Sequence, residues 1–285
     1  MNGLQQKDLL LQALQYVKQF KGKSILIKMG GSILDEPKLV RDLCQDLKLL
    51  RAAGIAIVIV HGGSKAIESA LSTYNLSWQF HQGQRVTTPE MMEVIEMVLS
   101  GQVNKMLVKN LNALDVPAVG LSGVDQQLLR CSLVSETLGL VGEVEQINIS
   151  LLKSFVDMQQ QDSDGGFIPV VSPVGVMKDG QAVNVNADWA ACCIAAELGV
   201  EKMIYLTDQD GIYQGGQLVS ECNTAKLQSL VDAGVVVGGM MTKVNTILKA
   251  LQKGVEHIHI LGAKRQHVLL EEIFTEAGVG TLCTV

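Results

Sequence analysis

Ser24-Ile25-Leu26-Ile27-Lys28-Met29 runs into Gly30-Gly31-Ser32, and Ile55-Ala56-Ile57-Val58-Ile59-Val60-His61 runs into Gly62-Gly63-Ser64. A strand that is apolar on both faces belongs inside a parallel sheet. Glycines at its carboxyl end let backbone N–H groups approach a ligand and point at an anion. In open α/β sheets that end is where ligands bind. Two anion-binding turns are therefore expected on one edge of one sheet, the first beside Lys28.

The rest of the chain fits such a sheet. Its 285 residues suffice for one large α/β domain or two smaller lobes. Apolar residues make up 47% and charged residues 18%, which supplies a core and argues against disorder. The net charge is -6 and no basic run occurs, which argues against a nucleic-acid partner. No apolar stretch reaches the length of a membrane span, and the amino terminus lacks a signal-peptide core. The six cysteines show no C-x-x-C spacing, and Cys192 and Cys193 are adjacent. Free thiols point to the cytoplasm.

Residues 5–20 read as an amphipathic helix. Leu10, Leu14 and Val17 recur at helical spacing, and Leu9, Ala13, Tyr16 and Phe20 widen the apolar face. This helix either packs on its own domain or serves oligomerisation. Further helices are expected over 38–53, 65–74, 89–99 (with Pro89 at N1), 104–114, 150–160, 188–198, 224–233, 242–253 and 268–276. Strands are expected over 118–121, 167–172, 202–206 and 257–261, with hairpins off the main sheet over 128–149. Strands alternate with helices, so the class is α/β with a largely parallel sheet. The best seam between two lobes lies near Gly199.

No G-x-x-x-x-G-K-[ST] occurs, and no G-x-G-x-x-G opens a helix after a strand. The anion is held in another way. Lys28 inside an apolar strand is costly unless its ammonium reaches solvent or meets an anion. Asn184-Val185-Asn186-Ala187-Asp188 places two amides and a carboxylate at alternate positions before a helix. It reads as a binding edge, or as a turn with Asp188 as N-cap. Lys243 follows Gly238-Gly239-Met240-Met241-Thr242 at an expected helix start, where a cation opposes the dipole unless an anion sits nearby.

Lys28-Met29-Gly30-Gly31, His61-Gly62-Gly63, Gln84-Arg85-Val86-Thr87, Gly120-Leu121-Ser122-Gly123, Asn184 to Asp188, Thr207-Asp208-Gln209-Asp210-Gly211 and Gly239-Met240-Met241-Thr242-Lys243 follow one another along the chain. In this order they resemble the amino-acid kinase family, from about residue 23 to the end. The resemblance is strongest to its arginine-inhibited, hexameric branch, which acts on N-acetylglutamate. It implies a three-layer α/β sandwich, with an oligomerisation helix at 1–22, an acceptor lobe at 23–198 and a nucleotide lobe at 199–285. It also implies a cytoplasmic homo-oligomer, dimer or hexamer, that uses ATP with Mg²⁺.

By this resemblance, the γ-phosphoryl of ATP moves to the side-chain carboxylate of an acylamino acid. Lys28 and Lys243 would neutralise the transferring group, and Asp188 would hold both lysines. Gly62, Gly63, Ser64, Arg85, Asn184 and Asn186 would bind the acceptor. Gly30, Gly31, Thr207, Asp208, Gly211, Gly238, Gly239 and Met240 would bind the nucleotide. The sequence offers no dedicated metal cage. Glu272 and Gly278, in the stretch 271–281, would meet an arginine effector; alternatively Glu272 is a solvated helix charge. His61 is expected to be structural. Ser64 stands where the family usually has a third glycine, Met29 and Ser32 where many members have tyrosine and asparagine, and Gln84 where leucine is usual. The alternatives are a kinase of a related acylamino acid such as N-acetyl-aminoadipate, and a non-catalytic effector-binding protein on this fold.

Overall fold

The computed structural model describes residues 3–81, 83–161, 166–275 and 278–285, with residues 3–10 as backbone alone. Residues 162–165 and 276–277 lie outside them, as do the side chains of Leu9 and Leu10.

The two apolar runs form the centre of the molecule. Strands β1 (Ser24–Met29) and β2 (Ala56–His61) are buried along their whole length and pair in parallel. Beyond β2, the short β3 (Phe80–His81) and β4 (Gln84–Arg85) form a hairpin. The chain continues through β5 (Ala118–Ser122), β6 (Leu129–Leu133), β7 (Val141–Ile147), β8 (Ile168–Ser172), β9 (Val174–Val176) and β10 (Ala182–Val185). After these come β11 (Lys202–Thr207), β12 (Tyr213–Gln214), β13 (Gln217–Leu218), β14 (Glu221–Asn223), β15 (Ile258–Gly262) and β16 (Thr281–Thr284). Eight strands make the main sheet in the order β14-β16-β15-β11-β1-β2-β8-β5. Its pairs are parallel except β15 with β16. The hairpins expected over 128–149 belong to a small closed barrel, β10-β7-β6-β9.

Helices α1 (Gly3–Phe20), α2 (Gly31–Leu34), α3 (Pro37–Ala52), α4 (Ser64–Thr73), α5 (Pro89–Glu96) and α6 (Asn104–Asn112) precede the barrel. Helices α7 (Ser150–Gln161), α8 (Ala187–Leu198), α9 (Thr224–Asp232), α10 (Gly238–Gln252) and α11 (Val268–Phe274) follow. Strand alternation divides the core by sheet face. Ile25, Ile27, Ile57 and Ile59 pack with α3 to α6 and α11, while Leu26, Val58 and Val60 pack with α7 to α10. The result is an α/β sandwich of three layers, and each core runs across the Gly199 seam.

Three expectations are corrected. First, the helices expected at 89–99 and 104–114 are one continuous rod. A π-helical segment, Met97–Val103, joins α5 to α6 and buries Val98, Leu99 and Val103. Ser100 and Gly101 look like a break, but packing of those apolar neighbours carries the helix through them. Second, α10 begins at Gly238 rather than at Thr242. Its first turn uses two glycines, which helix propensity disfavours. Third, Asn186, not Asp188, caps α8: its Oδ1 accepts from the Trp189 N–H at 3.0 Å. Strand β16 was not expected, because four residues at a chain end carry too little pattern.

Candidate active site

Parallel pairing brings β2 and β11 to either side of β1, with Val60 and Tyr205 in register with Lys28. Lys28 thus stands at the carboxyl end of the central strands. Asp188, in the first turn of α8, faces it: Lys28 Nζ lies 2.6 Å from Asp188 Oδ1. Lys243, on α10, donates from Nζ to Asp188 Oδ2 at 2.9 Å. Lys243 therefore sits in the second turn of its helix, not at the start, and the anion that its position called for is Asp188. The three side chains are between 9% and 15% exposed.

Burial alone would raise the Asp188 carboxyl pKa. The two ammonium groups more than reverse that and hold it well below the usual carboxylate range. Burial and the nearby Lys28 charge pull Lys243 down, against the pull of Asp188. With both lysines charged, two cations face one anion, and the trio keeps an unbalanced positive charge at the sheet edge. Tyr205 supports it from below. Its ring centroid lies 4.6 Å from Lys243 Nζ, and its hydroxyl donates to the Asp188 carbonyl at 3.2 Å. The same hydroxyl lies 2.9 Å from Cys192 Sγ, and the Cys192 thiol in turn donates to Thr246 O at 3.6 Å.

The glycine turns meet beside this trio. A Cβ on Gly31 would lie 3.0 Å from the Ser64 nitrogen and 3.3 Å from the Gly63 nitrogen. A side chain there would crowd both backbone nitrogens. Not every N–H there faces outward. Gly30 N–H donates to Leu206 O at 3.1 Å, and Gly62 N–H to Met29 O at 2.9 Å. Gly30 and Gly62 therefore set the turns rather than offer donors. Gly31 opens α2, and Gly63 and Ser64 open α4.

All six expected acceptor residues line one cleft: Gly62, Gly63, Ser64, Arg85, Asn184 and Asn186. Arg85 is buried in its wall, between Trp78 and Phe80, and its Nη2 donates to Glu68 Oε1 at 2.8 Å. Arg85 Nη1 is buried and has no hydrogen-bond partner. A buried, unmatched guanidinium N–H suits an anionic ligand group. Thr87 has a part that sequence reading left unassigned. Its hydroxyl donates to Arg85 O at 2.8 Å and accepts from Asn184 Nδ2 at 3.2 Å. It ties the arginine to the asparagine edge, and the motif Gln84-Arg85-Val86-Thr87 was the available signal.

Apart from Gly30 and Gly31 in the first glycine turn, the residues expected to meet the nucleotide lie on the β11 side of β1. Thr207 ends β11, and its hydroxyl donates to Asp208 Oδ1 at 3.0 Å. Gly211 packs against Thr281 and Leu218. Gly238 and Gly239 open α10 with no atom within 4 Å of where a side chain would begin, so the helix end stays open to a ligand. Met240 packs against the α7 to α10 face.

The profile of the Amino acid kinase family matches residues 23–262. The chain is 40% identical to the acetylglutamate kinase of Geobacter sp. (strain M21), over 98% of this chain and 97% of that one. It is also 40% identical to the acetylglutamate kinase of Aquifex aeolicus (strain VF5), over the full length of both. This chain belongs to the amino acid kinase family. In solved structures, N-acetylglutamate synthase from Neisseria gonorrhoeae, complexed with coenzyme A and N-acetyl-glutamate, shares the fold. Its TM-score is 0.85 at 24% identity, and the match covers 98% of this chain. This chain spans 63% of the length of that synthase chain.

This family member has a second built cleft, lined by Tyr16, Lys202, His259, Glu272, Gly278 and Val279 among others. Glu272 is not a solvated helix charge. It is buried, accepts from Val279 N–H at 3.0 Å and lies 2.5 Å from His259 Nδ1. Burial pulls the His259 pKa down, so the imidazole is neutral near pH 7 and donates Nδ1–H. Burial raises Glu272, but the His259 contact outweighs it and keeps the carboxyl low, hence ionised. A Cβ on Gly278 would lie 3.3 Å from Glu272 Oε2.

Proposed function

We propose that the chain transfers the γ-phosphoryl of ATP to the side-chain carboxylate of N-acetyl-L-glutamate, giving an acyl phosphate and ADP in arginine biosynthesis. The observation that carries this reading is the Lys28–Asp188–Lys243 trio, placed beside a cleft lined by all six acceptor candidates. Identity of 40% over nearly the whole length to acetylglutamate kinases supports the substrate.

Donor and acceptor are both anionic. Two unit charges ~4 Å apart at an effective dielectric of ~20 repel by about 4 kcal/mol. In the proposed mechanism Lys28 and Lys243 offset that repulsion. Asp188 is an organiser, since a carboxylate flanked by two ammonium groups and held far below its usual pKa is a poor base. The acceptor carboxylate is already ionised at pH 7 and needs none. Gly31, Gly63 and Ser64 line the passage between the turns, while Asn184 and Asn186 hold the acylamino group. Thr207, Asp208, Gly211, Gly238, Gly239 and Met240 take the nucleotide. On this reading 1–22 is the oligomerisation helix, 23–198 the acceptor lobe and 199–285 the nucleotide lobe. Among the described residues no group of three His, Cys, Asp or Glu side chains could hold a metal ion. Asp188 is committed to two lysines. Mg²⁺ would therefore arrive on the ATP phosphates, and no protein step is routed through it.

An ADP-release assay with N-acetylglutamate, glutamate and N-acetyl-aminoadipate tests the function. The expected order puts N-acetylglutamate first. Absence of turnover with all three overturns the enzyme reading, and preference for N-acetyl-aminoadipate reassigns the acceptor. Arg85 is read as the bidentate partner of the substrate α-carboxylate. Arg85→Lys is expected to raise the acceptor KM by about 10- to 100-fold, with the ATP KM little changed. An unchanged acceptor KM refutes this role.

The second cleft is read as the site of an arginine effector, because ionised Glu272 is a buried partner for a guanidinium. Glu272→Ala is expected to abolish any effect of arginine on the rate, and a wild-type arginine response in that variant rejects the site. Helix α1 directs Tyr16 and Phe20 onto its own domain, while Leu11 and Leu14 are 51% and 56% exposed. We read that exposed face as joining copies of the chain. Light scattering of the full chain against one lacking residues 1–20 measures this, with a lower mass expected for the shorter chain. Among the described residues no helix is long and apolar enough to cross a membrane, and six free, buried cysteines suit a cytoplasmic protein.

A further inference from the structure

Beneath the second glycine turn lies a buried polar chain that the proposed mechanism leaves unused. His61, the last residue of β2, is fully buried. Its Nδ1 lies 2.9 Å from Gly62 O, and its Nε2 lies 3.3 Å from Asn104 Nδ2. The neighbours of Asn104 fix which way its amide points. Nδ2 also faces two carbonyls, Val170 O at 2.7 Å and Leu121 O at 3.2 Å, while Oδ1 accepts from Lys105 Nζ at 3.2 Å. A flipped amide would oppose oxygen to two carbonyls and an NH₂ group to an ammonium. Nδ2 therefore presents two hydrogens to three acceptors, Val170 O, Leu121 O and His61 Nε2, and Nε2, facing a donor group, carries no proton. That assigns the imidazole proton to Nδ1, which donates to Gly62 O. Burial pulls the His61 pKa down to about 4, so the ring stays neutral and keeps one tautomer near pH 7.

The consequence follows from peptide geometry. In a trans peptide the C=O and the next N–H point in opposite directions. A Gly62 carbonyl drawn toward His61 turns the Gly63 N–H the other way. The Gly63 nitrogen lies against the space left by the missing side chain of Gly31, beside the Ser64 nitrogen. The π-helical segment completes the support. A Cβ on Gly63 would lie 2.7 Å from Leu99 Cδ2 and 3.4 Å from Val103 Cγ2, so the segment presses Leu99 and Val103 against the back of the turn. Asn104 follows directly on that segment.

We propose that His61 and Asn104 are positioning residues, which aim the Gly63 N–H into the gap between the two glycine turns, where negative charge collects during transfer. This rests on the phosphoryl-transfer reading above. It makes His61 more than a packing residue, because the ring's proton decides the direction of a backbone dipole.

Two measurements on the full chain test it. His61→Leu removes the donor and is expected to lower kcat by about 10²-fold, with the ATP KM unchanged. His61→Asn, whose amide nitrogen stands near the place of Nδ1, is expected to recover most of that loss. Thermal melts of both variants show whether they are folded. An equal loss in two folded variants, or no loss in His61→Leu, overturns the proposal. Separately, ¹⁵N NMR of labelled histidine is expected to report His61 protonated at Nδ1. Asn104→Leu is expected to weaken that preference. A ring protonated at Nε2 in the unaltered chain overturns the assignment. The NMR measurement requires no turnover. A chain inactive on N-acetylglutamate would therefore refute the proposed function, while the His61 assignment would stand or fall on its own result.

Discussion

Replacing Lys28 or Lys243 with alanine is expected to lower kcat by about 10²- to 10³-fold while the chain stays folded. Each ammonium is nearly buried and touches the same carboxylate. With both present, the trio carries an excess positive charge for the transferring phosphoryl. With one removed, Asp188 cancels the other, and the site offers the phosphoryl no net charge. The loss should fall on kcat rather than on the acceptor KM, because the proposed acceptor contacts at Arg85, Asn184 and Asn186 line a cleft whose wall includes neither lysine. Lys28→Arg should not restore the rate. A planar guanidinium at a contact that is 2.6 Å for an ammonium requires the strand end or Asp188 to shift. The double variant should lose less than the product of the two single losses, since the lysines act through one shared partner. Steady-state ADP release, with circular dichroism as the check on folding, measures all of this. A wild-type kcat in either single variant removes that lysine from the mechanism.

Asp188→Ala is expected to destabilise the chain by about 3–5 kcal/mol and to abolish measurable turnover. The stability effect arises because two ammonium groups would be left buried together with no counter-charge. Urea denaturation near pH 7 measures it. Asp188→Asn keeps the shape but not the charge, and should fall between the two. The dependence on pH has a definite sign. The folded-state pKa of Asp188 lies below its unfolded value of about 3.9. Its contribution to stability is therefore fully present above that unfolded value, and it is lost as the pH falls through the folded one. The gap in stability between the wild-type chain and Asp188→Ala should hold from neutral pH down to about pH 4 and narrow only below it. A gap that closes between pH 7 and pH 5 would show that Asp188 is not the ionised partner of both lysines.

Much of the site could be read in the sequence because it is built from local signals. Both glycine turns end apolar strands, and that pattern needs no knowledge of neighbours. The six residues expected from motif order to meet the acceptor line one cleft. Other features resisted for identifiable reasons. Ser100-Gly101 has the look of a helix break, yet packing of Leu99 and Val103 against Gly63 carries the rod through it. Gly238-Gly239 resembles a turn, yet it opens α10, which moves Lys243 out of the first turn. Asn186 and Asp188 are equivalent as caps on paper, and only the backbone shows that Asn186 takes the cap and frees Asp188 for the lysines. Glu272 reads as a surface charge on a short helix. Its burial rests on contacts with His259, on strand β15, and with the Val279 backbone beyond the end of α11, and no periodic pattern along the chain pairs these groups.

The sequence by itself determined the α/β class, the two glycine turns at the carboxyl ends of apolar strands, and the order of the kinase-like motifs. Each of these rests on side-chain periodicity or on the conformational freedom of glycine, which act over a few residues. Only the tertiary structure decided what the charges do. Lys28 and Lys243 share Asp188 because β11 lies beside β1 and because α8 and α10 pack on the same face of the sheet. Whether a carboxylate is an N-cap, a base or a clamp depends on what is brought within about 3 Å of it, and on how much water is removed in doing so. Those two quantities belong to the packed sheet, and no local pattern in the chain encodes them.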